Sequence, residues 1–533
     1  MPSNSAVQPG SLHAPASDVA PRASSAPPLA IPVSREVSAG WQALAGRFLG
    51  FLFVLVVLEA LFSVPKLTWD LAVADRSLLG ILLGIAVAAA AAGLLWLGRH
   101  RLGAGLRTVG VRLAAIPRRR WLLLLIVAGI AARLTWVLLF PAPFTSDGWS
   151  YYELAKRTAQ GLTYQTPQGE WAAWPPGYPF ILLAFFQIGG IGPWAVTAAN
   201  LLLFVGTLLV VHALASRLAG EAAARIATLL IAVWPNLIAS AGVANKEGVI
   251  VFLLPAALLV YLVAGSSRSP TLRAAGRLAA GLVLGYSTLT QPAVMLVVWA
   301  FPIWELLLRV PLPRIAGRFA LVILGMAVVI LPWSARNQRV LGDFVLISTN
   351  GGSVFYRANN PLATGGWIKH GERPLTGYDE LTQDRLGYQW GKEWIRENPG
   401  PFLKLAVRKQ ILFLGDDAMG IYDGLKRGLG IDGPLYAGAK LVANAYWWGV
   451  WALIFLALLV RPGWTRHPLA LLFALVVLYF WGIDSVFESG ARHHLPLVGI
   501  LAVMAGWGAG GATGVPRMNA GEDPEVVSAS GRP

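Results

Sequence analysis

Residues 121–140, WLLLLIVAGIAARLTWVLLF, carry one charged side chain, Arg133, and comparable apolar runs recur from about residue 48 to residue 510. Runs of this length match the roughly 20 residues that a helix needs to cross a bilayer. A bilayer offers no water to backbone polar groups, so each run is read as an α-helix that satisfies its own amides. Candidate spans fall near 47–64, 78–97, 121–140, 193–215, 225–240 and 248–264, then near 278–290, 292–308, 319–335, 436–460, 468–482 and 495–510. The expectation is an all-α polytopic membrane protein with about twelve spans.

The loops orient these spans. GRHRLGAGLRTVGVRLAAIPRRR, SSRSPTLRAAGR, RVPLPRIAGR and RPGWTRHP are basic, and alternate counting puts all four on one side. By the positive-inside rule that side is cytoplasmic, together with both termini. The same bias accounts for a formal net charge of +16, so the basic balance is no sign of nucleic acid. With no cysteine in the chain, disulfides, thiolate catalysis and Cys-ligated zinc are excluded. Residues 1–45 and 511–533, rich in Ala, Pro, Ser and Gly, read as disordered cytoplasmic tails flanking a transmembrane core at 46–335 and C-terminal helices at 436–510. The opposite face receives 65–77, 141–192, 241–247, 336–435 and 483–494. Of these, 141–192 and 336–435 are too long to be turns, and FILLAFFQIGG and ENPGPFLKLAVRKQILFLG suit helices lying in the interface.

Asp147 stands where the third span ends. It could cap the helix WSYYELAKRTAQ, but a cap does not explain its company: Trp149, Tyr151 and Tyr152 follow it, then WAAWPPGYP with Trp174 and Tyr178. An acid at the rim of an aromatic, membrane-proximal cleft suits a base for a sugar hydroxyl. Glu153 has the spacing of an ordinary helix ion pair with Arg157. Lys246 and Glu247 open the span after the second outer turn, either as a helix-end pair or as cavity residues. Arg492, His493 and His494 follow Glu488 at the start of the last span. Adjacent helical residues point about 100° apart, so the two histidines do not suit one zinc ion. Arg336 and Asn337 end the ninth span in PWSARN. Asn359 and Asn360 read as turn residues, and Asp416 and Asp417 as a solvated turn.

DGWSYYELAKRTAQGLTY, WPPGYPFILLAFF, NKEG, PWSARN, STNGGSVFYRANNPLATGGW and SGARHHLPL, taken in that order, resemble the bacterial membrane glycosyltransferases related to protein O-mannosyltransferases and the lipid A aminoarabinose transferase, family 39 type enzymes of the GT-C fold. The resemblance covers most of 121–510 and leaves out the first two spans. It implies transfer of a hexosyl or pentosyl group from a polyprenyl-phosphate sugar to a glycan, lipid or protein acceptor, on the periplasmic face of the bacterial inner membrane. It implies roles for Asp147 and Glu247 as catalytic acids in the outer cavity, and for Arg492, Arg336 and Lys246 at the donor phosphate. Trp149, Tyr151, Trp174, Tyr178 and His493 would line the substrate cleft. Gly148 stands where many relatives have a second acid, so the loop lacks a paired-carboxylate metal motif, and a divalent metal stays open. Asp147 would take the acceptor proton in a single displacement with inversion, while Arg492 steadies the departing phosphate. The rival is a transporter or flippase of a lipid-linked or amphiphilic solute, which should carry its ionisable groups near the bilayer midplane.

Overall fold

The computed structural model describes residues 40–73, 78–461, 463 and 467–510. The expected tails lie outside these residues, apart from 40–45, which begin the first helix. Among the described residues there is no strand. The first half contains α1 (Gly40–Val73), α2 (Leu78–Ala114), α3 (Arg118–Leu139), α4 (Ser146–Ala159), α5 (Gly177–Gly189), α6 (Pro193–Ala219), α7 (Glu221–Ala232), α8 (Pro235–Ala239), α9 (Glu247–Gly265) and α10 (Pro270–Thr290). The second contains α11 (Ala300–Leu307), α12 (Leu312–Leu341), α13 (Gly351–Ala358), α14 (Glu380–Glu397), α15 (Pro399–Gly415), α16 (Met419–Ile421), α17 (Pro434–Val460), α18 (Pro468–Val486) and α19 (Val498–Gly510).

Eight of these helices are long and apolar enough to cross a membrane, or nine if the bent pair Glu221–Ala232 and Pro235–Gly242 forms one span. All twelve expected runs are helical, but α10 and the shorter apolar stretches Pro292–Leu307 and Leu495–Gly508 fall outside that set. Large apolar side chains such as Leu79, Leu94, Leu123 and Val127 are exposed along α2 and α3, as lipid-facing surfaces require. The chain is a multi-pass membrane protein.

Helix boundaries follow breakers rather than charge. The basic stretch after residue 97 contains no proline before Pro117, and α2 runs through it to Ala114, where a loop was expected. The bend of 47° at residues 233–234 comes from Pro235, which forces Trp234 into an extended conformation. Arg133 of α3 donates to the carbonyls of Ala232 and Ile231 at 3.1 and 3.4 Å, satisfying groups that the break releases. Helices α10 and α12 touch backbone to backbone: a Cβ on Gly281 would meet the Val322 carbonyl at 2.1 Å, the small-residue contact that lets membrane helices approach closely.

The first span is central rather than peripheral. Phe53, Val56, Val57, Ala60 and Leu61 of α1 are almost wholly buried, and α1 packs on α15, α17 and α18. Trp448 Nε1 donates to the Leu61 carbonyl at 3.1 Å and Trp481 Nε1 to Glu59 at 2.9 Å. Helix α15 therefore has a buried face, with Lys409 and Phe413 inaccessible, in addition to the exposed one suited to a membrane surface. Its Lys409 Nζ donates to Asn359 Oδ1 and the Val486 carbonyl, both at 3.0 Å. Asn359 and Asn360 are buried, not free turn residues, because their amides close the end of α13.

The segments assigned to one face meet there. Glu380 accepts from the amides of Trp171 and Ala172 at 2.8 and 3.1 Å, and the Ser489 amide donates to the Gly365 carbonyl at 3.0 Å. At the opposite end Arg225 donates to the Ile116 carbonyl at 2.9 Å, and Trp304 Nε1 to the Pro468 carbonyl at 2.6 Å.

Candidate functional site

Helix α4 starts abruptly. Ser146 has φ 51°, in the left-handed region, and Thr145 is the N-cap residue without a side-chain cap bond. Asp147 therefore sits in the first turn and is not needed as a cap. Gly148 lets that turn lie against the backbone at Ala244, since a Cβ there would meet the Ala244 carbonyl at 2.9 Å. The missing second acid thus has a steric reason.

Asp147 Oδ2 accepts from Arg492 Nη2 at 2.5 Å, and Arg492 Nε lies 3.8 Å from Glu247 Oε1. Two carboxylates from distant segments thus converge on the guanidinium of a third. Asp147 and Arg492 border a cavity of about 410 Å³, walled by the first outer loop, the 240–245 turn, Gly366 and Trp367, the 419–427 segment and the 488–495 loop. Glu247, at the start of α9, has a side chain only 6% exposed. Burial opposes the charge on Asp147, yet Arg492 and Lys246 outweigh it and hold the carboxyl below the usual carboxylate range. Burial likewise opposes the charge on Arg492, but Asp147 and Glu247 together fix it as a cation.

His493 also borders the cavity. Its Nδ1 lies 3.0 Å from Asp484 Oδ1, which leaves Nε2 as the ring nitrogen available to a ligand. His494 turns the other way: its Nε2 lies 3.0 Å from Asp417 Oδ1, and its ring stacks on Trp447 at 4.4 Å. The two histidines serve different carboxylates, as their adjacency required.

Several expected cleft residues lie elsewhere. Arg336, in the last turns of α12, donates to the Trp171 carbonyl at 2.7 Å and to that of Tyr164, and lies 4.7 Å over the Trp333 ring. It clasps the WAAW loop and does not border the Asp147 cavity. Lys246 bears on Asp147 only through its charge. Tyr151 and Tyr178 are buried in edge-to-face contact at 5.8 Å, joining α4 to α5, so they pack the cleft's support rather than its wall. Trp149 is exposed. Trp174 meets Tyr151 at 5.4 Å and faces a second cavity.

Other polar residues here carried little sequence signal. Asp423 and Arg427 border the Asp147 cavity and pair at 2.7 Å. Their i,i+4 spacing was the only hint. Burial pushes Asp423 up to about 6, against the pull of Arg427 and Arg492 and with the help of Glu247 and Asp147. The solvated-turn reading of Asp416 and Asp417 is overturned. Asp417 is wholly buried, accepting from Trp234 Nε1 at 2.6 Å and Asn236 Nδ2 at 2.5 Å, while Asp416 pairs with Lys440 at 2.7 Å.

No family model matches the sequence, and no curated protein matches it. Similar solved structures include the apo oligosaccharyltransferase of Archaeoglobus fulgidus, 14% identical over 73% of this chain and 50% of that one, with a TM-score of 0.43. The archaeal oligosaccharyltransferase AglB from the same organism, in complex with an inhibitory peptide and a dolichol-phosphate, has the same identity and coverage and a TM-score of 0.42. ArnT from Cupriavidus metallidurans bound to undecaprenyl phosphate is 16% identical over 74% of this chain and 78% of its own, with a TM-score of 0.37. The chain spans about half the length of the archaeal proteins. All three neighbours are GT-C membrane glycosyltransferases.

A divalent ion at this site was left open by the sequence. Asp147 and Glu247 both face a guanidinium, and among the described residues no three His, Cys, Asp or Glu side chains come together as a metal would require. This donor set does not fit a resident ion.

Proposed function

We propose that the chain transfers a sugar from a polyprenyl-phosphate donor to an acceptor hydroxyl, with inversion, on the periplasmic face of the inner membrane. The observation that carries this reading is the Asp147–Arg492 pair bordering a cavity of about 410 Å³, with buried Glu247 behind the same guanidinium. An arginine fork is suited to a phosphate whose charge grows as the sugar leaves. A carboxylate beside it is suited to the acceptor's proton.

At rest Asp147 is a weak base, because Arg492 stabilises its charge. A donor phosphate competes for the same guanidinium. As Arg492 turns to the phosphate, Asp147 loses its main stabilising partner and its basicity rises. The acceptor O–H proton then passes to Asp147, the oxygen bonds to the anomeric carbon, and the carbon–oxygen bond to phosphate breaks with its electron pair kept by the phosphate. Buried Glu247 keeps Arg492 in place during the exchange. These charged groups lie at helix ends and in outer loops rather than at mid-depth, which favours a surface enzyme over a transporter.

The test is Asp147→Asn. The residue caps no helix, so the variant should insert and fold normally, while transfer of labelled sugar from polyprenyl phosphate in purified membranes drops by about 10²- to 10⁴-fold. Near-normal turnover would remove Asp147 from the mechanism.

A further inference from the structure

A second cavity, of about 270 Å³, lies between the WAAW loop and the 349–383 segment. It is separated from the Asp147 cavity by one short stretch of chain: Gly366 and Trp367 border the first, Lys369 and His370 the second. Trp174 borders the second cavity and touches Tyr151, whose helix carries Asp147.

The lining is polar and aromatic together. Trp174, half-buried, offers a flat face of the kind that covers sugar rings, and Asn350, Ser353 and Gln383 offer groups that can pair with hydroxyls. Both acids on the wall are already engaged. Glu380 accepts from the Trp171 and Ala172 amides and, at 2.9 Å, from Thr349 Oγ1, while Glu170 accepts from Thr166 Oγ1 at 3.2 Å.

The cations are less satisfied. Arg373 lies 3.6 Å from Glu393. Arg357, in the last turn of α13, has a buried Nε with no partner, and its guanidinium makes no hydrogen bond or ion pair among the described residues. With Nε covered and the fork at the cavity wall without a protein partner, the Arg357 guanidinium is placed to take an anion from the cavity. Lys369, exposed at the rim, adds a second positive charge.

We infer that this cavity binds an acidic glycan, with a carboxylate or phosphate on Arg357 and Lys369 and a sugar ring against Trp174. The inference rests on the transfer reading for its meaning, since it makes this cavity the seat of the acceptor, but its test needs no turnover. The full chain in phosphatidylcholine nanodiscs would be titrated with trigalacturonate, mannose 6-phosphate, neutral maltotriose and inorganic phosphate. An acidic sugar should bind at least about tenfold more tightly than maltotriose, the scale of a charge-assisted hydrogen bond. Arg357→Gln should abolish the difference. Lys369→Gln, at an exposed position where folding is not at risk, should reduce it by about threefold, and Arg492→Gln should leave it intact.

Equal binding of maltotriose overturns the inference. So does inorganic phosphate binding as tightly as the acidic sugars, or acidic-sugar binding lost in Arg492→Gln and kept in Arg357→Gln. An inactive wild type that binds acidic sugar through Arg357 would count against the transfer reading and leave this one standing.

Discussion

A base held by an arginine stays weak until the arginine is offered another anion. Arg492 is thus both the brake on Asp147 and the donor's anchor, and its planar fork matters as much as its charge. Arg492→Lys should lower kcat by about 10²-fold with a smaller effect on donor KM, because the interaction strengthens as the phosphate departs. Steady-state kinetics with varied donor checks this, and unchanged turnover would send the phosphate role to another cation. Asp423 gives a pH signature. Its folded value, about 6, lies above the ordinary 3.8, so its contribution to stability is complete at low pH and is lost as pH rises through 6. The shift corresponds to at most about 3 kcal/mol. Melting in detergent should show wild type losing stability between about pH 4 and 6, and Asp423→Asn flattening that slope. Asp147, Glu247 and Arg492 were legible because each stood at an outer span end in an order resembling known enzymes. Asp423 and His493's partner Asp484 were not, since an acid near an apolar helix looks the same whether it is paired or free.

Among elements, the turn between α15 and α17 shows how burial hides from local sequence. Asp417 follows a glycine and another acid, which reads as solvent. Its partners Trp234 and Asn236 lie 183 and 181 positions away, so nothing nearby marks it. Asp417→Ala would strand three buried partners, Trp234 Nε1, Asn236 Nδ2 and His494 Nε2, and should destabilise the fold by about 3–5 kcal/mol, seen as a lower melting temperature and loss of detergent-soluble protein. Asp416→Ala, which frees a partly exposed lysine, should cost far less. Helix existence was legible because apolar runs of span length have no alternative in lipid. Helix extent was not: α2 continues past residue 97 through a basic stretch to Ala114 because no proline stops it, and α12 passes Pro332 to end on Gly342 at φ 72°, a conformation glycine adopts freely.

At the scale of the whole molecule, charge orients the bundle. A chain without cysteine makes single-cysteine labelling clean: Glu372→Cys should react with an impermeant maleimide from the periplasm, and Arg268→Cys only after the membrane is opened. The reverse pattern would put the Asp147 cavity in the cytoplasm and end the proposed chemistry. Helix α1 carries a consequence for assembly. A ribosome delivers it early, yet the tryptophan that bonds Glu59 arrives 422 positions later. Until then an acid whose insertion costs about 2.5–3.5 kcal/mol at mid-membrane waits in the lipid without its lasting partner. Helix α1 is thus enclosed late, and a nascent chain that stalls before α18 leaves Glu59 without the tryptophan that bonds it.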